Sequence, residues 1–280
     1  MKYLGNSPPL DITTYDAERY DYVFYGNPTD SVNPSCLYAT WLNASTGEVF
    51  VCRDNTVDQN VWTGQLGTLI KTVGFLSFVG ASSHSVALPA IYSLGTGDFT
   101  IESKIRTTDV GFNYFISNKN NFTGNFVRIG LGNADGTIRF YVEGTDGTNS
   151  ERNTTAEYND DEWHHVAVTR TGTTMEIFVD GFVVYTSSSI VSGDFGGATN
   201  WYLGQSGTGS SYFTGDLAMV RVWSKVLSQY EIADSSREVF NISDAALEAY
   251  YPFTDGSGSI LSEVISGNHG TITGATWGSE

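Results

Sequence analysis

From about Leu69 onward the chain consists of short apolar segments separated by turn residues, and this pattern restricts the possible folds more than any other feature. Twelve such segments follow one another, namely GFLSFVG, HSVALPA, DFTIESKIRT, NYFISNK, FVRIGLG, TIRFYVEG, WHHVAVTR, TMEIFVDG, FVVYTSS, WYLGQS, DLAMVRVWS and LEAYYPF. Each has the length and composition of a β-strand, and the turns between them draw on 31 glycines together with Asn and Asp. The pattern predicts an all-β protein built as a two-sheet antiparallel sandwich.

Two neighbouring histidines, His164 and His165, follow three acidic residues at positions 160–162 and raise the question of a catalytic or metal site. Strand alternation places the two rings on opposite faces of one sheet, and the acidic residues fall in the turn before the strand. The rings therefore cannot bind one metal together. We expect both to be structural, each bonded to a backbone or hydroxyl partner.

Two local signals fix the elements around these strands. The Asp180-Gly181 pair supplies the positive-φ residues of a type I′ turn, so the next strand should run back antiparallel. Ser228 and Glu231 have the spacing of a capping box, which predicts one short surface helix between late strands.

The segment DDEWHHVAVTRTGTTMEIFVDGFVV is similar to the central signature of the laminin-G-like, concanavalin A-like jelly-roll domains. Three other segments resemble parts of the same family in the expected order, beginning LSFVGASSHSVALPA, GDLAMVRVWSKVLSQYEI and LEAYYPFTDGSGSI. The resemblance covers about Leu69 to Trp277. It implies a lectin-shaped sandwich that serves as a binding or adhesion module for glycans or proteins and often carries calcium on its rim loops.

Residues 1–68 do not resemble that family, and the segment CLYATWLNASTGEVFVCRDNTVDQNVWTGQLG resembles short β modules of tailed-bacteriophage virion proteins. We therefore expect an attachment module at 1–68, rich in β-hairpins, followed by the sandwich at 69–280. This resemblance implies a virion fibre or decoration protein that assembles in the host cytoplasm, forms a homo-oligomer and contacts other virion proteins through the attachment module. No secretory signal is recognised at the N-terminus.

The only two cysteines, Cys36 and Cys52, flank a predicted hairpin that would bring them close together. A disulfide and two buried thiols both remain open. Two sulfurs without a nearby histidine do not make a zinc site.

Charge and hydropathy exclude two classes of partner. With 14 basic and 31 acidic residues the net charge is −17, and no basic cluster could neutralise nucleic-acid phosphates. No apolar run is long enough to span a bilayer, so we expect no membrane insertion.

A catalytic function is not expected. Retaining glycanases of this fold carry two carboxylates on one strand as E-x-D-x-E or a close variant, and no such run exists here. The nearest group, at 157–162, lies in a predicted turn. A lectin-like virion adhesin and a purely structural decoration or fibre protein therefore remain as the two main functions, with a glycanase as a remote alternative.

Glycan binding would use aromatic faces and planar amides on loops. The segments GFNYFISNKNNFTGN and GGATNWYLGQSGTGSSYFTGD combine both, and within them we assign ligand binding to Trp201, Tyr212, Asn118 and Asn120. Because a surface of charge −17 repels anionic polymers, we expect a neutral or weakly charged glycan from the host surface.

Three Asp-containing turns could offer oxygens to calcium, through Asp135, Asp146 and Asp194. Ordinary Asp-Gly turn chemistry accounts for the same residues without a metal. Val79 stands where the family often has an Asp, and this departure removes one expected ligand of a rim calcium.

Overall fold

The computed structural model describes the backbone of five short strands before residue 74 and most of the chain after it. The described residues are 2–3, 22–24, 40–43, 49–54, 61–65, 74–89, 94–118, 126–132, 135–144, 147–191, 195, 200–207, 209–236 and 240–279. The chain divides into two compact units, which are Met1–Ile70 with Glu238–Ser243, and Lys71–Arg237 with Asp244–Glu280.

The first unit contains one five-stranded sheet. Its strands, in sheet order, are β1 (Lys2–Tyr3), β2 (Tyr22–Phe24), β3 (Thr40–Asn43), β4 (Val49–Asp54) and β5 (Val61–Gln65). The antiparallel pairing of β3 with β4, in which Trp41 lies opposite Phe50, confirms the predicted hairpin. Cys36 lies outside the described residues, so the state of the two cysteines stays a prediction.

The second unit is an antiparallel sandwich of two sheets with one helix, and it confirms the predicted fold class. The front sheet, in spatial order, consists of β12 (Asn149–Glu157), β11 (Thr137–Glu143), β10 (Phe126–Leu131), β9 (Asn113–Ser117), β16 (Trp201–Leu203), β7 (Ser85–Leu88), β20 (Gly270–Thr273) and β19 (Ile260–Leu261). The back sheet consists of β15 (Phe182–Ser187), β14 (Thr174–Val179), β13 (His164–Thr171), β8 (Phe99–Arg106), β17 (Gly215–Trp223), β6 (Gly74–Phe78) and β21 (Thr276–Ser279), with β18 (Leu247–Tyr251) paired to β17. Helix α1 spans Gln229–Ser236.

The hydrophobic core lies between the two sheets because alternate side chains of each strand point inward. In the front sheet Ile138, Phe140 and Val142 of β11 are fully buried in it, and in the back sheet Val166 and Val168 of β13 meet them from the other side. The intervening residues of β10 and β11 consequently face away from the core, where the candidate site lies.

The predicted capping box and hairpin turn both form. The Ser228 N–H donates to the Glu231 carboxylate at 2.7 Å, and the Glu231 N–H donates to the Ser228 hydroxyl at 3.3 Å. Asp180 and Gly181 have φ values of 52° and 84°. A Cβ at Gly181 would lie 2.9 Å from the Ala233 Cα, so this turn packs directly against α1.

All twelve strands predicted for the sandwich are present, but its strands β12, β19, β20 and β21 were not predicted. Strand β12 has no apolar alternation because it is a polar edge strand whose side chains are mostly exposed. Its Arg152 donates from Nε to the Ser187 hydroxyl and from Nη2 to the Ser189 carbonyl, both at 3.2 Å. Arg152 therefore joins the edge of the front sheet to the edge of the back sheet at β15.

Candidate functional site

Two of the residues predicted to bind a ligand are buried. Trp201 is 1% exposed and belongs to the core between the sheets, so the expectation that it presents a flat face to solvent is wrong. Its position on β16 explains this, since Trp201 and Leu203 both point inward. Asn118 is also 1% exposed; its Oδ1 accepts the Val127 N–H at 2.5 Å and its Nδ2 donates to the Phe195 carbonyl at 3.2 Å. This amide connects β9, β10 and a loop.

The other two residues predicted to bind a ligand are Asn120 and Tyr212. Asn120 lies outside the described residues, so its role stays a prediction. Tyr212 is half-buried and pairs with Tyr114 through an isolated parallel bridge, supported by a hydrogen bond from the Tyr114 N–H to the Ser211 carbonyl at 3.2 Å. Tyr212 therefore borders the surface described below.

The calcium prediction can be compared with the structure only at Asp135. Its Oδ1 accepts the N–H and the hydroxyl of Thr137 at 3.1 and 2.7 Å, which is ordinary turn capping. Asp146 and Asp194 lie outside the described residues. Among the side chains that the structure describes, no three His, Cys, Asp or Glu form a metal-binding group, and calcium stays a prediction.

The two histidines lie on opposite faces of β13, as predicted, but their partners are carboxylates rather than backbone or hydroxyl groups. His164 Nδ1 lies 2.8 Å from Asp180 and its Nε2 lies 3.1 Å from Asp160. The hydrogen bond to Asp180 raises the His164 pKa against the effect of burial, with Asp160 contributing. The two carboxylates contact opposite ring nitrogens, so they hold an imidazolium and do not converge on a metal.

His165 belongs to a buried polar network on the outer side of the back sheet, beneath α1. Its Nε2 lies 2.9 Å from Glu102, which also accepts the Trp223 indole N–H at 2.6 Å and lies 3.7 Å from the Arg221 Nε. Burial raises the Glu102 pKa, but Arg221 and His165 outweigh it and hold this pKa at about 2. Burial lowers the His165 pKa, so its ring is neutral and donates to the Glu102 carboxylate.

The outer side of the front sheet carries the strongest candidate for a binding surface. We call it the aromatic–arginine face, and it consists of Phe112, Tyr114, Phe126, Arg128, Arg139, Tyr141, Glu143 and Glu151. Core residues precede and follow Arg128 and Arg139 in the sequence, so both arginines point away from the core. The face thus spans β9 to β12 and the turn before β9.

Arg128 lies between two rings of this face. Its guanidinium carbon is 4.5 Å from the centre of the Phe126 ring and 4.9 Å from that of Tyr114. Phe126 in turn stacks on Tyr141, with ring centres 5.5 Å apart and planes 15° apart. The rings stabilise the cation through their faces and restrict its rotation.

Arg139 is the second cation of the face, and it is held more tightly. It is 4% exposed, and its Nη2 donates to the Glu151 carboxylate at 2.5 Å. Its guanidinium carbon lies 4.0 Å from the Phe112 ring centre, 5.3 Å from that of Tyr114 and 5.5 Å from that of Tyr141. One carboxylate and three rings therefore fix its position.

Gly130 explains how Arg139 reaches Tyr114. In the strand register Gly130 lies directly between them, opposite Arg139 of β11 on one side and Tyr114 of β9 on the other. Two strand spacings amount to roughly 10 Å, and only a residue without a side chain leaves this interval open. A Cβ at Gly130 would also collide with the Asn113 carbonyl oxygen.

Tyr141 remains a hydrogen-bond donor across the physiological pH range. Its hydroxyl donates to the Glu143 carboxylate at 2.9 Å. Burial raises the Tyr141 pKa to about 12, and the neighbouring Glu143 contributes to the rise.

Sequence reasoning placed the site on loops and missed most of this face. The signal that could have found it is the alternation in FVRIGL and TIRFYVE, where Phe126, Arg128, Arg139 and Tyr141 occupy every second position beside core residues. Large rings and arginines at the outward positions of neighbouring strands form a built surface rather than a merely solvated one.

A family model described as Laminin_G_3, concanavalin A-like lectin/glucanases superfamily, matches residues 80–233, which is more than half of the chain. The chain belongs to this superfamily. The match contains the whole aromatic–arginine face and both histidines, and it confirms the family resemblance noted in the sequence. No match to a curated protein was found.

Several solved structures resemble the chain in fold at low sequence identity. A protein from Bacteroides ovatus ATCC 8483 assigned to carbohydrate binding aligns with a TM-score of 0.54 and 18% identity, over 87% of this chain and 70% of that one. A heptameric SAP-like pentraxin from Limulus polyphemus gives 0.51 and 14%, over 72% and 96%. Tailspike protein 2 of the Escherichia coli O157:H7 bacteriophage CAB120 gives 0.51 and 15%, over 68% and 28%. At these identities the likeness is one of fold.

Within the described part of the chain no helix is long and apolar enough to cross a membrane.

Proposed function

We propose that this chain is a non-catalytic glycan-binding protein and that the aromatic–arginine face is its binding surface. The observation that carries the proposal is the pair of arginines stacked among four rings on the outward side of β9 to β11. Phe112 and Tyr141 keep exposed surface that can stack on the C–H faces of sugars, whereas Tyr114 and Phe126 are buried and support the arginines from within. Fixed guanidinium and carboxylate groups bond paired hydroxyls.

One row of outward residues across the front sheet gives the proposed surface its length. In the strand register Glu151, Tyr141, Arg128, Ser117 and Tyr202 follow one another across β12, β11, β10, β9 and β16. Tyr141 and Tyr202 are both half-buried and lie three strand spacings apart, roughly 14 Å. This distance suits an oligosaccharide of two or three sugars better than a single sugar.

The absence of catalysis is part of the proposal. Each carboxylate of the face already has a protein partner, Glu143 through the Tyr141 hydroxyl and Glu151 through Arg139. A carboxylate held in this way positions its neighbours rather than attacking a substrate. Membership of a superfamily that contains lectins, and the fold shared with a protein assigned to carbohydrate binding, support the binding function.

The experiment is a glycan-array screen of the full chain against a Tyr141→Ala/Tyr202→Ala variant. The variant should lose binding to every glycan that the native chain retains, with an unchanged circular dichroism spectrum. The matched control is Phe182→Ala/Tyr230→Ala, because these aromatic side chains are 69% and 53% exposed and lie on β15 and α1. Native binding that survives in the Tyr141/Tyr202 variant, or no binding by the native chain, would overturn the proposal. Release of reducing sugar from a bound glycan would favour the glycanase alternative.

We also propose the narrower function of a virion adhesin, in which residues 1–68 attach the sandwich to a particle and repeated copies raise its weak affinity. The resemblance of this segment to β modules of tailed-phage proteins supports the proposal, and a bacteriophage tailspike shares the sandwich fold. Limited proteolysis between residues 64 and 71 should release a soluble sandwich, and electron microscopy of particles should find the chain on their surface. An insoluble fragment would contradict the division into two modules. A chain that is found on particles but binds no glycan would have a purely structural role.

A further inference from the structure

Arg128 differs from the other arginines whose side chains the structure describes, because it lacks a polar partner. Among the described residues it makes no hydrogen bond or ion pair, and its Nε is buried and unpartnered. Every other arginine whose side chain the structure describes has a polar partner, namely Arg106 with Asp216, Arg139 with Glu151, Arg152 with Ser187, Arg170 with the Gly97 carbonyl and Arg221 with the Ser235 carbonyl. Arg128 is therefore a positive charge that the protein orients but does not neutralise.

The surroundings of Arg128 suit an anionic ligand group. The Phe126 and Tyr114 rings contact the Arg128 guanidinium and hold it in place. The side chain is half-buried, and Nε is its only buried nitrogen without a partner, so its two terminal amino groups remain accessible to a ligand. The two carboxylates of the face are engaged elsewhere, by Tyr141 and Arg139. A planar carboxylate matches the fork of a guanidinium with two parallel hydrogen bonds.

We propose that Arg128 binds the carboxylate of an acidic sugar, so that the ligand of the aromatic–arginine face is a glycan containing uronic acid or another carboxylated sugar. This inference rests on the proposed glycan-binding function and narrows its ligand class. It replaces the neutral glycan expected from the net charge of −17. At physiological salt, charges beyond about 8 Å are largely screened, so the contact at Arg128 outweighs the average charge of the chain.

The test compares acidic oligosaccharides with their methyl esters, which keep the shape of the sugar and remove its charge. The full chain is screened on an array that carries carboxylated oligosaccharides, each beside its methyl ester and beside sulfated and neutral oligosaccharides. Titration calorimetry of the bound pairs should give an affinity about 10- to 100-fold higher for the acid than for the ester. In Arg128→Met this ratio should fall to near one, and Arg128→Lys should recover only part of it because a lysine cannot form the fork.

The outcomes separate this inference from the proposed function. Equal binding of acid and ester by the native chain overturns the carboxylate assignment but leaves glycan binding standing. Tighter binding of sulfated oligosaccharides overturns the carboxylate in favour of a sulfate ester. No binding to any oligosaccharide overturns the proposed function itself. The comparison of acid with ester on the native chain decides the ligand class even if Arg128→Met does not fold, and Arg128→Lys then tests the assignment to Arg128.

Discussion

The guanidinium carbon of Arg139 lies 4.0 Å from the centre of the Phe112 ring, although Arg139 is almost fully buried and Phe112 is 42% exposed. Phe112 thus covers the inner cation of the face and still offers its outer side to a ligand. We expect Phe112→Ala to weaken glycan binding about 5- to 10-fold, since an aromatic contact contributes roughly 1 kcal/mol. The melting temperature should change by no more than a few degrees. Val110→Ala is the control, because Val110 is 52% exposed two residues away; equal effects in both variants would contradict a role for Phe112.

Gly130→Ala should destabilise the sandwich by about 1 to 3 kcal/mol in denaturant unfolding, because its new Cβ collides with the Asn113 carbonyl. Displacement of β9 should also separate Tyr114 from Arg139 and weaken glycan binding. Gly97→Ala is the matched control, since its nearest neighbour would be the Leu94 carbonyl oxygen at 3.7 Å. Full stability of Gly130→Ala would show that β9 and β10 shift easily.

The pH dependence of stability should reveal His164. Its pKa is raised in the folded chain, so its stabilising contribution is present below the usual value of 6.5 and is lost as the pH rises through the folded pKa. Burial raises the pKa of Asp180, but its interactions with His164 and His165 together outweigh burial and lower it. The stabilisation that Asp180 contributes is therefore lost as the pH falls below about 4. His164→Gln should cost about 1 kcal/mol at pH 5.5 and little at pH 9, measured by chemical unfolding. An effect of His164→Gln that does not change between pH 5.5 and pH 9 would contradict the imidazolium.

Glu102→Ala should be among the most damaging substitutions of the back sheet, because it leaves Arg221 buried without its carboxylate. We expect a loss of about 3 to 5 kcal/mol in the free energy of unfolding. The double variant Glu102→Leu/Arg221→Met removes both charges and should recover part of that loss. Glu176→Ala, at a half-buried carboxylate on β14, should cost less than about 0.5 kcal/mol. A double variant no better than Glu102→Ala would mean that lost packing, not the unpaired charge, causes the damage.

Chelation tests the calcium prediction. If the loops of Asp135, Asp146 and Asp194 bind calcium, EGTA should lower the melting temperature and added calcium should restore it. At a calcium concentration 100 times the Kd, binding should raise the free energy of unfolding by about 2.7 kcal/mol. Magnesium at equal ionic strength is the control. An unchanged melting temperature would remove calcium and leave turn capping, as seen at Asp135, as the role of these residues.

Strand periodicity was sufficient for the sandwich because the predicted strands place alternate side chains in the core, although the edge strand β15 contributes only partly buried ones. It was insufficient for β12, whose exposed polar side chains carry no apolar period. The capping box at Ser228 and the turn at Asp180 could also be predicted, because each depends only on residues that are close together in the sequence.

The site could not be predicted in the same way because its contacts cross strands. Arg139 meets Tyr114 only through the gap at Gly130, a relationship fixed by sheet register that no local pattern contains. Trp201 shows the converse, since it looks like a loop aromatic in the sequence but lies in the core. Aromatic residues near glycines were therefore a poor guide to exposure, whereas arginines at alternate positions of β10 and β11 would have been a better one.

The bond network of Arg152 has a consequence for crowding. An open sheet edge recruits strands from neighbouring molecules, and this risk grows when many copies are held side by side. Arg152 ties the outermost strand of the front sheet to Ser187 and Ser189 at the edge of the back sheet. Together with the charged, exposed side chains of β12 it turns this border into a closed seam, so we expect the border to resist strand addition when copies are held side by side, as in the proposed virion adhesin.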